Sequence, residues 1–223
     1  RYGLYNRLIA VLSPALGRAG LEHLKRRVLA LSKEPLPKAR KKVQLIAGWD
    51  LGNRDYRDEI LESSRASTVR LALQAIADAQ GDVDAFIAQY DEKTRKVPRI
   101  AADIVQRLLA VGRVEDAWST IEATEHGRRD WPDFEWEDAR IDVLEALGRS
   151  DEEQAARWSC FQRSLSAPHL RAYLKQLPDF DDLEAEELAL DHAREYTSLL
   201  QALSFFVSWP DLDRAASLVI ERA

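Results

Sequence analysis

Methionine is absent from this 223-residue sequence, and cysteine occurs once, at Cys160. One thiol cannot close an intramolecular disulfide, and without a Cys-x-x-Cys pair there is no seed for a structural zinc site. The expected home is a reducing cytoplasm. Glycine and proline are scarce too, at nine and eight residues, against 46% hydrophobic and 31% charged residues. That balance excludes collagen-like and disordered chains and describes a globular, helix-rich one. Long apolar runs are also missing. The longest, Leu199 to Trp209, is broken by Gln201, Ser204 and Ser208 and falls short of the roughly 20 residues a bilayer-spanning helix needs, so no membrane partner is expected. The chain opens at Arg1, and the stretch from Leu4 to Leu16 has no signal-cleavage pattern; together with the missing methionine, this is expected of a piece cut from a longer protein.

Charge is present in quantity and unevenly placed. Residues 1–55 hold 12 Lys/Arg against 4 Asp/Glu, net +8, and the remainder holds 20 against 34, net −14. Fields of opposite sign favour docking of the basic part onto the acidic part, within the chain or between copies as a homo-oligomer, or else two different partners.

Apolar residues recur at spacings of three and four almost throughout, the mark of amphipathic helices, with no sustained alternation of period two. Leu4, Leu8, Val11 and Leu12 predict a first helix; Leu21, Leu24, Val28 and Leu31, after Gly17, predict a second that pairs with it as a hairpin. A loop over 34–55, with Pro35, Pro37, Gly48 and Gly52, is the longest break in the pattern and the place for a subdomain boundary. Three hairpins are then expected. Val69, Leu73 and Ile76 lead through Gly81 to Val83, Phe86, Ile87 and Tyr90; Ile104, Leu108 and Val111 lead through Gly112 to Val114, Ala117, Trp118 and Ile121; Ala139, Val143 and Leu147 lead through Gly148 to Ala155, Trp158, Phe161 and Leu165. Each glycine sits where a left-handed residue ends a helix without a Cβ penalty. Further helices are expected over 170–177, 183–196, 199–207 and 212–222. Ser150 with Glu153 spells a capping box, Asp82 and Asp211 read as N-caps, and Pro132-Asp133, Pro178-Asp179 and Pro210-Asp211 punctuate helix starts.

The turns at Gly81, Gly112 and Gly148 are 31 and 36 residues apart, an interval typical of helical-hairpin repeats. The stretches 108–117 (Leu-Leu-Ala-Val-Gly-Arg-Val-Glu-Asp-Ala) and 144–155 (Leu-Glu-Ala-Leu-Gly-Arg-Ser-Asp-Glu-Glu-Gln-Ala) resemble the tetratricopeptide repeat. The resemblance implies an all-α fold of stacked antiparallel hairpins wound into a right-handed superhelix, one helical-repeat domain over 1–223. The whole chain also resembles an uncharacterised bacterial family of unknown function. The segments that carry this are 18–24 (Arg-Ala-Gly-Leu-Glu-His-Leu), 85–91 (Ala-Phe-Ile-Ala-Gln-Tyr-Asp), 130–140 (Asp-Trp-Pro-Asp-Phe-Glu-Trp-Glu-Asp-Ala-Arg) and 166–174 (Ser-Ala-Pro-His-Leu-Arg-Ala-Tyr-Leu). That likeness implies helices and supplies no activity.

Candidate chemistry is thin. His23, His126, His169 and His192 are far apart, with neither a second histidine nor a preceding glutamate at ligand spacing, so no metal and no cofactor is expected. The acidic run from Asp179 to Glu187 lacks the glycine and spacing of a calcium loop. There is no nucleophile elbow or phosphate-cradling glycine loop, and Cys160 lies beside Trp158 and Phe161 as a core thiol would. An enzyme is not expected. Between Asp130 and Asp138, Trp131, Phe134 and Trp136 interleave with acids, which suits either a pocket for a basic or peptide ligand or aromatics anchoring a loop. The basic stretch 25–42, with Lys25, Arg26, Arg27, Lys33, Lys38, Arg40, Lys41 and Lys42, is the one electrostatic footprint suited to nucleic acid. The leading expectation is a scaffold binding a protein or peptide through Trp118, Trp131, Phe134 and Trp136; the alternative is a nucleic-acid-associated accessory domain using 25–42.

Overall fold

The computed structural model describes residues 3–35, 54–124 and 133–222, with side chains there except those of 3–7 and 54–59. Every regular element among them is helical: α1 (Gly3–Lys33), α2 (Arg54–Gln80), α3 (Val83–Ile87), α4 (Glu92–Arg95), α5 (Pro98–Ala110), α6 (Val114–Glu122), α7 (Phe134–Ala146), α8 (Ser150–Ser164), α9 (Ala167–Lys175), α10 (Asp181–Glu195), α11 (Leu199–Ser208) and α12 (Leu212–Arg222). The chain forms two compact units, Arg1–Glu92 and Lys93–Ala223.

In the first unit α1 packs along α2. The Gln80 amide donates to the Glu22 carboxylate at 2.9 Å, and the Arg65 guanidinium donates to the Glu34 carbonyl. Residue 22 thus faces 80 and 34 faces 65, so the two helices run antiparallel. The two helices expected on either side of Gly17 are both there: α1 is two helical segments joined by a kink at that residue, at φ 58°, ψ −175°. The antiparallel contacts at Glu22 and Glu34 are those of the segment after Gly17 with α2. Residues 36–53 of the expected boundary loop lie outside the described residues, but the helices on either side of it share one unit. The return helix expected from Val83 to Tyr90 stops at Ile87, and Tyr90 instead packs edge-on against Phe86 at 5.7 Å.

In the second unit the hairpin turns share one hydrogen-bond design. The Arg113 amide donates to the Leu108 carbonyl at 2.9 Å and the Gly112 amide to Leu109 at 3.0 Å; Arg149 and Gly148 repeat this onto Leu144 and Glu145, both at 3.0 Å. These are Schellman bonds, which close a helix with a left-handed residue. Gly112 and Gly148 supply it at φ 76° and 69°. The arginine that follows each glycine then opens the next helix and pairs with an acid three positions on, Arg113 with Asp116 at 2.7 Å and Arg149 with Glu152 at 2.6 Å. A Cβ added at Gly148 would meet nothing within 4 Å, so Gly148→Ala isolates backbone strain. Its expected cost is about 1–2 kcal/mol, read as a lower urea midpoint.

Asp82, Asp133 and Asp211 cap their helices, accepting from the amides of Ala85, Trp136 and Arg214 at 2.9, 3.4 and 3.0 Å. The capping box expected from Ser150 and Glu153 does not form. Ser150 is already inside α8, and Glu153 is buried against Arg157 instead.

One core of the unit joins Phe161 and Leu165, next to Ala167 and Leu170 of α9, to Ala189, Leu190 and Ala193 of α10, Ala202, Phe205 and Phe206 of α11, and Ala215 and Leu218 of α12. Alanines recur at 185, 189 and 193 on α10, so its neighbours come close and the larger Leu183 and Leu188 stay outside.

Candidate interaction surface

The aromatic and acidic stretch that begins α7 is largely committed to the fold. Trp136 is 6% exposed, so its ring belongs to the interior and drops out of the contact candidates. Phe134 is exposed at the first position of α7. Trp118 is half-buried on α6 against the cluster of Ile141, Leu144, Ala156 and Cys160, with the Arg149 guanidinium 4.4 Å above its ring. Trp131, Lys38, Arg40, Lys41 and Lys42 lie outside the described residues.

The five carboxylates of α7 all reach other helices, α5, α8 and α9. Glu135 meets Arg99 of α5 at 3.2 Å, Asp142 accepts from Gln106 of α5 at 2.7 Å, and Asp138 meets His169 of α9 at 2.9 Å. Glu145 meets Arg157 of α8 at 3.2 Å, and buried Glu137 pairs with Arg163 of the same helix. Exposed pairs of this kind contribute about 0–1 kcal/mol each. Their information lies in register: Gln106 and Asp142 are 36 positions apart, and so are Arg99 and Glu135. Two pairs with one offset require α5 and α7 to run parallel.

Ser166, His169 and Asp138 form a hydroxyl–imidazole–carboxylate chain, with the Ser166 hydroxyl 2.7 Å from His169 Nδ1 and His169 Nε2 2.9 Å from Asp138. The connectivity is that of a nucleophilic triad. Its serine, however, is the N-cap of α9 and its histidine lies three positions on, the spacing of a capping pair. The set clasps α9 onto α7.

Burial, with the Glu137 carboxylate adding to it, pushes the Cys160 thiol from 9.0 up to about 11. A thiolate-dependent disulfide reagent at neutral pH is therefore expected to react slowly with the folded chain and at once in denaturant; fast reaction in the folded state would contradict it. Since the folded thiol titrates above the unfolded one, its contribution to stability is full below pH 9.0 and is lost as pH rises towards about 11.

Other apolar side chains are exposed on α10 and α12. Phe180 is 81% exposed, and Leu183 and Leu188 are each 60%; around them stand exposed Asp181, Glu184, Glu187 and Asp191. On α12, Leu212, Val219 and Ile220 are exposed. Arg214 to Glu187 and Arg194 to Glu221 hold that helix parallel to α10, both pairs 27 positions apart. Sequence reading did not single out these exposed residues; their signal is the alanine spacing on α10, which assigns the small residues to the inside.

Among the described residues no helix is long and apolar enough to cross a membrane. A family model described as a family of unknown function, DUF6880, matches residues 1–223. No curated protein and no solved structure matches the chain.

Proposed function

We propose that this chain, which belongs to the family of unknown function DUF6880, is a helical-repeat scaffold that binds a protein or peptide. The observation that carries the reading is the parallel register of alternate helices. α5 and α7 are linked at an offset of 36, α10 and α12 at 27. Asp138 to His169 links α7 to α9, and the Arg171 guanidinium reaches the Ser208 carbonyl 37 positions on, from α9 to the end of α11. Alternate helices that meet at intervals of about one hairpin are what a tetratricopeptide-like right-handed stack requires. Such stacks present long surfaces to partners, and the acid-rich exposed side of α10, with Asp181, Glu184, Glu187 and Asp191, suits a basic one.

The test is capture from lysate by the purified chain, nuclease-treated, at low and moderate salt, beside a Leu183→Asp/Leu188→Asp variant. A partner retained by the native chain and lost at least tenfold by the variant supports the reading. Capture of nothing above background overturns it; retention that vanishes with nuclease transfers the function to the basic stretch 25–42.

A further inference from the structure

The bend in α1 rests on two glycines, each at odds with an ordinary helix. Gly17 takes φ 58°, ψ −175°, a backbone region that residues with a Cβ avoid. A Cβ added there would meet nothing within 4 Å, so the demand for glycine comes from the backbone alone. Gly20 lies inside the second segment, and its demand is one of space. A Cβ added to it would lie 2.9 Å from Leu16 Cβ, on the other side of the bend. Residues four apart on a straight α-helix keep their Cβ atoms about 5–6 Å apart. The bend therefore brings residues 16 and 20 closer than any side chain at position 20 allows.

A straight helix has no use for either glycine, since each costs stability there relative to alanine. Around them stand Ala15, Leu16, Arg18, Ala19 and Leu21, all strong helix formers. The segment after Gly17 is tied to α2 through Glu22 and Glu34. In the segment before it, among the described residues, no side chain from residue 8 onward is buried, so a change of angle at Gly17 disturbs little packing. The bend also shapes a cleft, lined by Ser13, Pro14 and Arg18 of α1 and by Ala79, Gln80 and Asp82 at the end of α2 and the turn after it.

We propose that α1 is a two-state hinge: bent at Gly17 it frames this cleft, and straight it carries residues 3–16 away from the cleft as one continuous helix with 18–33. A Cβ at position 17 is penalised in the bent state and favoured in the straight one. A Cβ at position 20 collides with Leu16 in the bent state alone. The two substitutions thus act on one equilibrium through different atoms, and a ligand seated in the cleft would draw it towards the bent state.

The experiment uses the full chain with spin labels at Ala10→Cys and Ala30→Cys, exposed positions on either side of the bend, in a Cys160→Ala background. A continuous helix sets these positions about 30 Å apart, and a bend brings them closer. The native sequence at 17 and 20 is expected to give the shorter distance by pulsed electron resonance. Gly17→Ala and Gly20→Ala are each expected to move the ratio of straight to bent by about tenfold towards straight, with helix content by circular dichroism kept or raised. Gly81→Ala is the comparison. Gly81 follows α2 at φ 67°, and its added Cβ also meets nothing within 4 Å, so this variant is expected to lower the urea midpoint and leave the distance between the labels unchanged.

A glycine variant at 17 or 20 that folds and keeps the native distance overturns the proposal, because packing and not the glycine would then impose the bend. A distance of about 30 Å in the native sequence overturns it as well. So does loss of folding in both variants while Gly81→Ala still folds, since the straight state would then be closed to this chain.

Discussion

Phe161→Ala is expected to remove about 3–5 kcal/mol of stability, seen as a large fall in the urea midpoint with little change in slope. The ring is fully buried and sits where helices meet. Its centroid lies 5.4 Å from Trp158 on its own helix, 5.5 Å from Phe205 of α11 and 5.8 Å from His192 of α10. Truncation removes the apolar transfer term and leaves a cavity whose walls belong to three helices. Those walls cannot close in, because hydrogen bonds hold their spacing: the Tyr196 hydroxyl donates to the Arg163 carbonyl at 2.6 Å, and His192 Nε2 lies 3.0 Å from the Gln162 carbonyl. Leu188→Ala, a leucine truncated on the exposed side of α10, should fall within about 0.5 kcal/mol of the native chain. A Phe161→Ala loss as small as that would mean the helices around the ring are free to collapse onto the gap.

Much of this architecture was legible in the residues. Spacing of three and four located the helices from α5 onward, because each lays a continuous apolar face on its neighbour. Gly112 and Gly148 marked their turns, because only a residue without Cβ takes that left-handed position at no cost. Legibility failed where a choice depends on what a face meets. Leu8, Val11, Leu12 and Leu16 of α1 have the spacing of a buried face and are nonetheless exposed. Ser150 and Glu153 have the spacing of a capping box, but Glu153 finds Arg157 and Gln176, a stronger set of donors than a single backbone amide. The acids of α7 were indistinguishable from the other carboxylates of a chain that holds 38. What singles them out is the cation or amide each meets on another helix, in α5, α8 or α9.

The buried pair between Glu153 and Arg157 should respond to substitution with opposite results for one change and for two. Glu153 is 3% exposed. Its Oε1 accepts from Arg157 Nη2 at 2.6 Å, from Arg157 Nε at 2.9 Å and from the Gln176 amide at 3.0 Å. Three donors on one oxygen tie α8 to the end of α9, and Arg157 also reaches the exposed Glu145 of α7. Glu153→Ala removes the anion and strands a guanidinium that is mostly out of water, so a loss of about 3–5 kcal/mol is expected. Glu145→Ala, on the solvent side of the same arginine, should cost under about 1 kcal/mol. The double change Glu153→Leu/Arg157→Met removes both charges and keeps apolar volume, and should recover most of the loss, because the desolvation of both ions is removed together with their attraction. Equilibrium unfolding of the native chain and these three variants decides the matter. A single-variant cost below about 1 kcal/mol would place the pair effectively in water. A double variant no better than Glu153→Ala would show that α9 is held by the Gln176 bond and not by charge.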